Sequence, residues 1–431
     1  MLSFSSSRLT HSACSALTLA LVAVCSVGLT GCAGLTSSSD STEAAVKSTC
    51  KQTVADSRTE VCAAERLPVA GKAGESVGTL VTTNSAAADQ ARKAGIAVKM
   101  LPDEAALEGK PWAIITVPAA ELKTKAAYSA AQTTQAVTGT PVRLLDSQNG
   151  WWRVQLPEGY IARVHRSQLL RLTDDEIFQW NVIPRVVVTA PETHLETADG
   201  KPAGILYAGA IAVAGDVIRD EKGNALRQVV QLPDGRNVSV DAKDVKDLNA
   251  FRVESAVSRG KGREAFGAKL AEIALSLIGR SYLWGGTTPA GMDCSGFLSV
   301  VFRMNDLILP RDSDQMAGLG ELDDAPDSWQ RAQAGDLLFF GRKTEGKSFS
   351  SGVSHVALAL GNGRFIHSLG DVHTASFNPE SPEYDAYEAK RYLGRVRLRF
   401  DDWDNPCLTS TGTNALYGVP PAAPKPCKRV R

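Results

Sequence analysis

Three residues carry a nucleophile, a base and an orienting group in the C-terminal part of the chain: Cys294, His355 and His367. Cys294 stands in "SYLWGGTTPAGMDCSGFLSVVFRM", after a Gly-rich turn and at the start of an amphipathic run with Phe297, Val300, Val301 and Met304 on its apolar side. A thiol at a helix N-terminus faces the positive end of the dipole and free backbone N–H groups. These lower its pKa and can hold an oxyanion. Taken alone, such a cysteine is more often a buried packing residue, and a metal ligand is the other plain reading, but the chain has no Cys-x-x-Cys or His-x-x-x-His to complete a zinc site.

The text "GVSHVALALGNGRFIHSLG" reads as two strands around a Gly-Asn-Gly turn, with His355, Ala357 and Ala359 on one face and Val356, Leu358 and Leu360 on the other. This alternation predicts that His355 leaves the core face, while the hairpin returns His367 beside it. The chemistry is acyl transfer through a thioester: His355 takes the Cys294 proton and later gives it to the leaving amine, and His367 fixes the ring of His355. His11, His165, His194 and His373 lack this arrangement and read as bystanders.

The run Asp293-Cys294-Ser295-Gly296-Phe297, then "LPRDSDQ", "AGDLLFF", "HVALALG" and the second histidine, resembles the NlpC/p60-type cell-wall cysteine peptidases over roughly residues 260–400. The resemblance implies a papain-like α+β fold, no metal and no organic cofactor. It also implies a substrate, the bond between γ-D-glutamate and an L-diamino acid in peptidoglycan stem peptides. Related enzymes with SH3-like modules hold L-Ala-γ-D-Glu through positions matched here by Trp284, Asp293, Ser295, Asp312 and Ser313, and close the pocket with a tyrosine matched by Tyr160. Each has a plainer role: Trp284 as core, Asp293 and Ser295 as helix caps, Asp312 and Ser313 as loop braces, and Tyr160 as a cross-strand packing residue. The chain departs from the relatives at Ala131, where they carry a glutamate, which bears on recognition of a free L-alanine amine.

These residues need a scaffold, and 431 residues leave room for several domains. Residues 1–31 read as a secretory signal, with Arg8 and His11 before an apolar run from Ala13 to Leu29. Its end, Leu29-Thr30-Gly31-Cys32, resembles the bacterial lipoprotein signal, so Cys32 is the expected lipidation site; an uncleaved membrane helix is the alternative. Ala33 after the cysteine resembles outer-membrane sorting, which puts the chain in the cell envelope, anchored to the outer membrane and facing the periplasm. Residues 32–110 read as tether and linker, because the Ser/Thr/Ala/Lys-rich text after Cys32 holds few aromatics. Short Val-rich runs broken by turns then predict two SH3-like all-β barrels, at 111–178 and 179–250, where "QLPDGRNVSV" repeats the layout of "QLPEGYIARV". The peptidase domain is expected at 258–400 and an irregular Pro-rich tail at 401–431. The expected fold class is therefore multidomain: two small barrels followed by an α+β papain-like cysteine peptidase domain.

Of the eight cysteines, Cys14 and Cys25 leave with the signal. With Cys32 lipidated and Cys294 free, Cys50 with Cys62 and Cys407 with Cys427 are the candidate disulfides of an oxidising compartment. Lysine plus arginine (47) balances aspartate plus glutamate (47), so no basic field points to nucleic acid. The expected partners are stem peptides and, through Cys32, a membrane. Two rival functions stay open at this point: a non-catalytic wall-binding scaffold, and a thiol amidase or acyltransferase on a related fold.

Overall fold

The computed structural model describes residues 38–69, 72, 74–399 and 407–424. The signal segment, Cys32 and Cys427 lie outside them. The stretch read from composition as tether and linker is instead a folded α/β unit. Helix α1 (Ser38–Thr53) packs on a sheet of β1 (Cys62–Pro68), β2 (Ser76–Thr82) and β3 (Ala97–Met100), with α2 (Ser85–Lys93) between the last two strands and α3 (Glu104–Leu107) after them. Its core is small: Val46, Leu80, Ala87 and Ala91 are buried, and the Cys50–Cys62 disulfide joins α1 to β1. Alanines that resemble a disordered linker in composition are what let two helices approach a short sheet closely. The cross-link supplies order that so small a core lacks.

Two seven-stranded antiparallel sheets follow. The first comprises β4 (Trp112–Ile115), β5 (Ala119–Lys123), β6 (Gln132–Val137), β7 (Pro141–Gln148), β8 (Trp151–Gln155), β9 (Ile161–His165) and β10 (Leu169–Leu172). Helix α4 (Asp174–Val182), started by a Thr173/Glu176 capping box, leads into the second. That sheet holds β11 (Arg185–Val188), β12 (Glu192–Glu196), β13 (Pro202–Tyr207), β14 (Ile211–Arg219), β15 (Ala225–Gln231), β16 (Asn237–Asp241) and β17 (Val245–Asp247). The repeated text is a repeated hairpin: Leu156 and Leu232 each receive a bond from the glycine three residues on, and Gly159 and Gly235 have φ of 85° and 87°. Only glycine adopts that conformation without strain, so both turns carry it.

Helix α5 (Leu248–Gly260) spans the boundary expected near residues 250–258 and leads into α6 (Arg263–Leu275). The hairpin β18 (Thr287–Thr288) and β19 (Gly291–Met292) precedes α7 (Cys294–Arg303) and α8 (Ser313–Met316). The antiparallel sheet that closes the domain contains β20 (Gly320–Asp323), β21 (Leu337–Gly341), β22 (Val353–Gly361), β23 (Arg364–Leu369), β24 (Asp371–Ser376) and, after α9 (Ala386–Arg391), β25 (Tyr392–Leu398). Its order is β20-β25-β21-β22-β23-β24. Phe297, Val300 and Val301 of α7 are fully buried against Val356, Leu358 and Ile366, each contributing roughly 1.5–3 kcal/mol.

The face of β22 that carries His355, Ala357 and Ala359 is not solvent-facing, contrary to the alternation argument. Phe340, Phe365 and Phe377 cover it with a second core. The tail also differs from expectation. Its described part pairs Thr409 with Ile308 and buries Leu416 and Tyr417 among Trp112, Trp180, Leu248 and Phe251. Asn414 donates to the Pro157 carbonyl at 2.8 Å, so this irregular segment straps the peptidase domain to the first barrel. Cys407 is disulfide-bonded, while its expected partner Cys427 lies outside the described residues.

Candidate active site

Cys294 opens α7, and its neighbours explain the sequence around it. Asp293 is the N-cap, accepting from the Gly296 amide at 2.7 Å and from the Gly285 amide at 2.9 Å. A Cβ at Gly296 would lie 1.9 Å from the Gly286 carbonyl oxygen, so the glycine after Ser295 is a condition for docking this helix. Arg311 braces the cap from behind. Its guanidinium donates to Asp293 Oδ2 at 2.6 Å, to Ser295 Oγ at 2.8 Å and to Thr134 Oγ1 of the first barrel at 2.9 Å.

Strand β22 runs beside the start of α7, so the Val356 and Ser295 amides turn toward the Cys294 sulfur. Those amides and Arg311 favour the thiolate, as the helix terminus predicted. Burial and the Asp293 charge outweigh them and push the thiol up to about 12. Burial, then His367, Arg391 and His373, hold His355 down to about 3. Both shifts favour the uncharged forms, a neutral thiol and a neutral imidazole.

His355 Nε2 lies 2.9 Å from His367 Nδ1, so Nδ1 is the ring nitrogen of His355 that His367 does not engage. His367 is fully buried and is held down to about 4 by burial and by His373, against Asp385 and Asp371. His373, read from sequence as a bystander, is no bystander: its Nε2 lies 3.0 Å from His367 Nε2. The signal was present but unused, because His373 stands directly opposite His367 across the β23–β24 pair.

One cleft gathers Cys294 and His355 with Tyr160, Trp284, Asp293, Ser295, Asp312 and Ser313, while His367 sits behind His355. Trp284 is 70% exposed and forms rim rather than core. Tyr160 reaches in from the first barrel, its hydroxyl pKa raised by burial and by Asp312. Asp312 also caps α8 in a box with Gln315, and burial raises its pKa against Arg311 and Arg58. Ala131 is exposed and supplies no carboxylate.

Sequence reasoning missed the N-terminal unit's share of this cleft. Arg58 donates to Asp312 at 2.8 Å and to both carboxylate oxygens of Asp314 at 2.7 and 2.8 Å, and it is held in turn by Asp56. Glu388 and Arg391 of α9, paired at 2.6 Å, border the other side.

Comparison with known proteins agrees with this geometry. The family profile described as NlpC/P60 matches residues 279–397, and the one described as a bacterial dipeptidyl-peptidase SH3 domain matches residues 122–169. The chain is 26% identical over 280 residues to a gamma-D-glutamyl-L-lysine dipeptidyl-peptidase of Bacillus cereus, covering 60% of this chain and 75% of that one. It is 42% identical over 94 residues to the Bacillus subtilis protein of the same name and 37% identical over 123 residues to dipeptidyl-peptidase 6 of Lysinibacillus sphaericus. Those matches span 21% and 28% of this chain, but only 28% and 40% of those two. A solved NlpC/P60 family structure from Bacillus cereus shares the fold at a TM-score of 0.51 and 22% identity, over 66% of this chain and 99% of that one.

Fold and site together define a modular cysteine peptidase, an SH3-type barrel feeding a papain-like domain. Residues 279–397 form its NlpC/P60 domain.

Proposed function

We propose that this chain hydrolyses the bond between γ-D-glutamate and the L-diamino acid of peptidoglycan stem peptides, with Cys294 as nucleophile, His355 as base and His367 as orienter. The observation that carries the reading is the cleft itself, where a free thiol and a neutral imidazole face Tyr160 of the barrel and Asp312. The names of the Bacillus relatives support the choice of bond.

Cys294 Sγ bonds to the γ-glutamyl carbonyl carbon while its proton passes to His355 Nδ1. The C–N bond then breaks, and that proton leaves on the amine of the diamino acid. Water attacks the thioester, giving one proton to His355 Nδ1, and the departing sulfur recovers it. The helix terminus at Cys294 favours the oxyanion of each addition. Trp284, Asp293, Ser295, Asp312, Ser313 and Tyr160 hold the L-Ala-γ-D-Glu portion. The enzyme acts in the cell envelope, lipid-anchored through Cys32 to the outer membrane on its periplasmic side. The lipoprotein-like text before Cys32 supports this, as does the Cys50–Cys62 disulfide of an oxidising compartment. Cys32→Ala then releases the protein from the membrane fraction, and retention there argues against the anchor.

The test of activity is incubation of the soluble chain with L-Ala-γ-D-Glu-diamino-acid peptides, with and without an N-acetyl group on alanine, beside Cys294→Ala and analysed by mass spectrometry. Cys294-dependent release of L-Ala-D-Glu from free-amine peptides alone identifies a dipeptidyl peptidase of released fragments. Cleavage of both identifies a wall endopeptidase. Cleavage of neither rejects the reading in favour of a scaffold or an amidase.

A further inference from the structure

The hydrogen-bonded line that starts at His355 does not stop at His367. His355 Nε2 meets His367 Nδ1 at 2.9 Å, His367 Nε2 meets His373 Nε2 at 3.0 Å, and His373 Nδ1 meets Asp371 Oδ1 at 2.8 Å. The line runs from the buried end, where His355 and His367 are 5% and 0% exposed, to the surface, where the side chains of His373 and Asp371 are 40% and 57% exposed.

With His373 neutral, the outer end sets the direction of every bond. The groups met by His373 Nδ1 are the Asp371 carboxylate and, at 3.3 Å, the Asp371 backbone carbonyl, and both only accept. His373 Nδ1 therefore carries a proton, and in the neutral ring Nε2 is bare. A bare His373 Nε2 accepts from His367 Nε2–H, which leaves His367 Nδ1 bare. That nitrogen accepts from His355 Nε2–H, which leaves His355 Nδ1 bare. We infer that Asp371 and His373 are positioning residues that set the tautomer of His355, so that with a neutral His373 ring the Nδ1 of His355 is bare and able to accept a proton from Cys294.

This rests on the reading of Cys294 and His355 as nucleophile and base. Without His373, the His367 Nε2–H loses the acceptor it has in this line, and His367 can hold its proton on Nδ1 instead. That tautomer donates toward His355 Nε2 and turns the proton of His355 onto Nδ1, where it blocks the base. When His355 becomes an imidazolium during attack, the same line lets the Asp371 carboxylate offset a charge that burial disfavours. The other charged groups that bear on the line are Arg391 toward His355 and Asp385 toward His367. His373 and Asp371 do not line the cleft, so their effect on substrate affinity is small.

The experiment compares His373→Phe, which removes the acceptor, with His373→Gln, whose amide oxygen can still accept from His367. His373→Phe is expected to lower kcat by roughly 10- to 100-fold at an unchanged KM, and His373→Gln to stay within about three-fold of the parent. Long-range proton–nitrogen spectra of histidine-labelled protein give an independent readout, with His355 and His367 both as Nε2–H in the parent and a mixed population at His367 in His373→Phe. Parental kcat in His373→Phe, an equal loss in His373→Gln, or a Nδ1–H His367 in the parent overturns the inference. If the parent cleaves no stem peptide, or Cys294→Ala still does, the catalytic reading fails instead, and the tautomer spectra still decide whether Asp371 and His373 orient the line.

Discussion

Arg311→Met is the perturbation that most directly probes how Cys294 is held at its helix terminus. Arg311 is 3% exposed and Asp293 is 7% exposed, so the pair between them at 2.6 Å is a buried salt bridge. Removing one partner of a buried pair costs about 3–5 kcal/mol, because the other charge stays desolvated. Asp293 would keep the Gly285 and Gly296 amides and the Ser295 hydroxyl. Those donors place the expected loss near the lower end, about 3 kcal/mol. For a domain of this size each kcal/mol moves Tm by roughly 2–4 °C, so Arg311→Met should melt about 6–12 °C lower. Asp293→Asn should cost a similar amount by stranding the guanidinium. The double variant should then recover about 2–3 kcal/mol of the summed loss, since neither charge is left alone. Calorimetry or thermal circular dichroism on the four proteins reads the cycle. A shift below about 2 °C for Arg311→Met, or strict additivity, would refute the claim that this pair carries the helix terminus.

Two further outcomes follow from the charges of the cleft. Because burial holds His355 down to about 3, against an ordinary 6.5, the base stays neutral as pH falls through the usual histidine range. The same depressed pKa means that stability from the neutral buried ring is present above the unfolded value and is lost as pH falls toward the folded one. kcat/KM should thus stay flat from about pH 8 to 5 with folding monitored in parallel, and an acid limb centred between 6 and 7 in folded protein would contradict it. Arg58→Ala releases the Asp312 carboxylate from its guanidinium partner. KM should fall roughly 5- to 10-fold for peptides with a free alanine amine, the equivalent of about 1–1.5 kcal/mol, and stay unchanged for N-acetylated ones. An equal response of the two peptides would show that Arg58 acts only by docking the N-terminal unit.

Much of the site was legible because local sequence fixes local chemistry. A glycine turn, an N-cap and an apolar helix put Cys294 at a helix terminus. Strand alternation and a tight turn put His355 and His367 on one hairpin. The repeat of "QLPEG" and "QLPDG" marked two like barrels, since both turns need glycine at the same left-handed position. What depended on distant packing was not legible. The α/β unit before the barrels has a core too small to show in composition, and its Arg58 meets Asp312 across 254 positions of chain. The tail reads as irregular because its order comes from burying Leu416 and Tyr417 between domains rather than from its own backbone pattern.

Sequence alone determined the helix start at Cys294, the hairpin of histidines and the two repeated barrels, because each is set by neighbours within a few residues. Only the tertiary structure decided that burial makes the resting thiol and imidazole neutral, that Arg311 ties the helix cap to the barrel, and that His373 and Asp371 continue the histidine line. Desolvation, buried ion pairing and cross-strand contact are properties of the packed chain, and no local pattern encodes them.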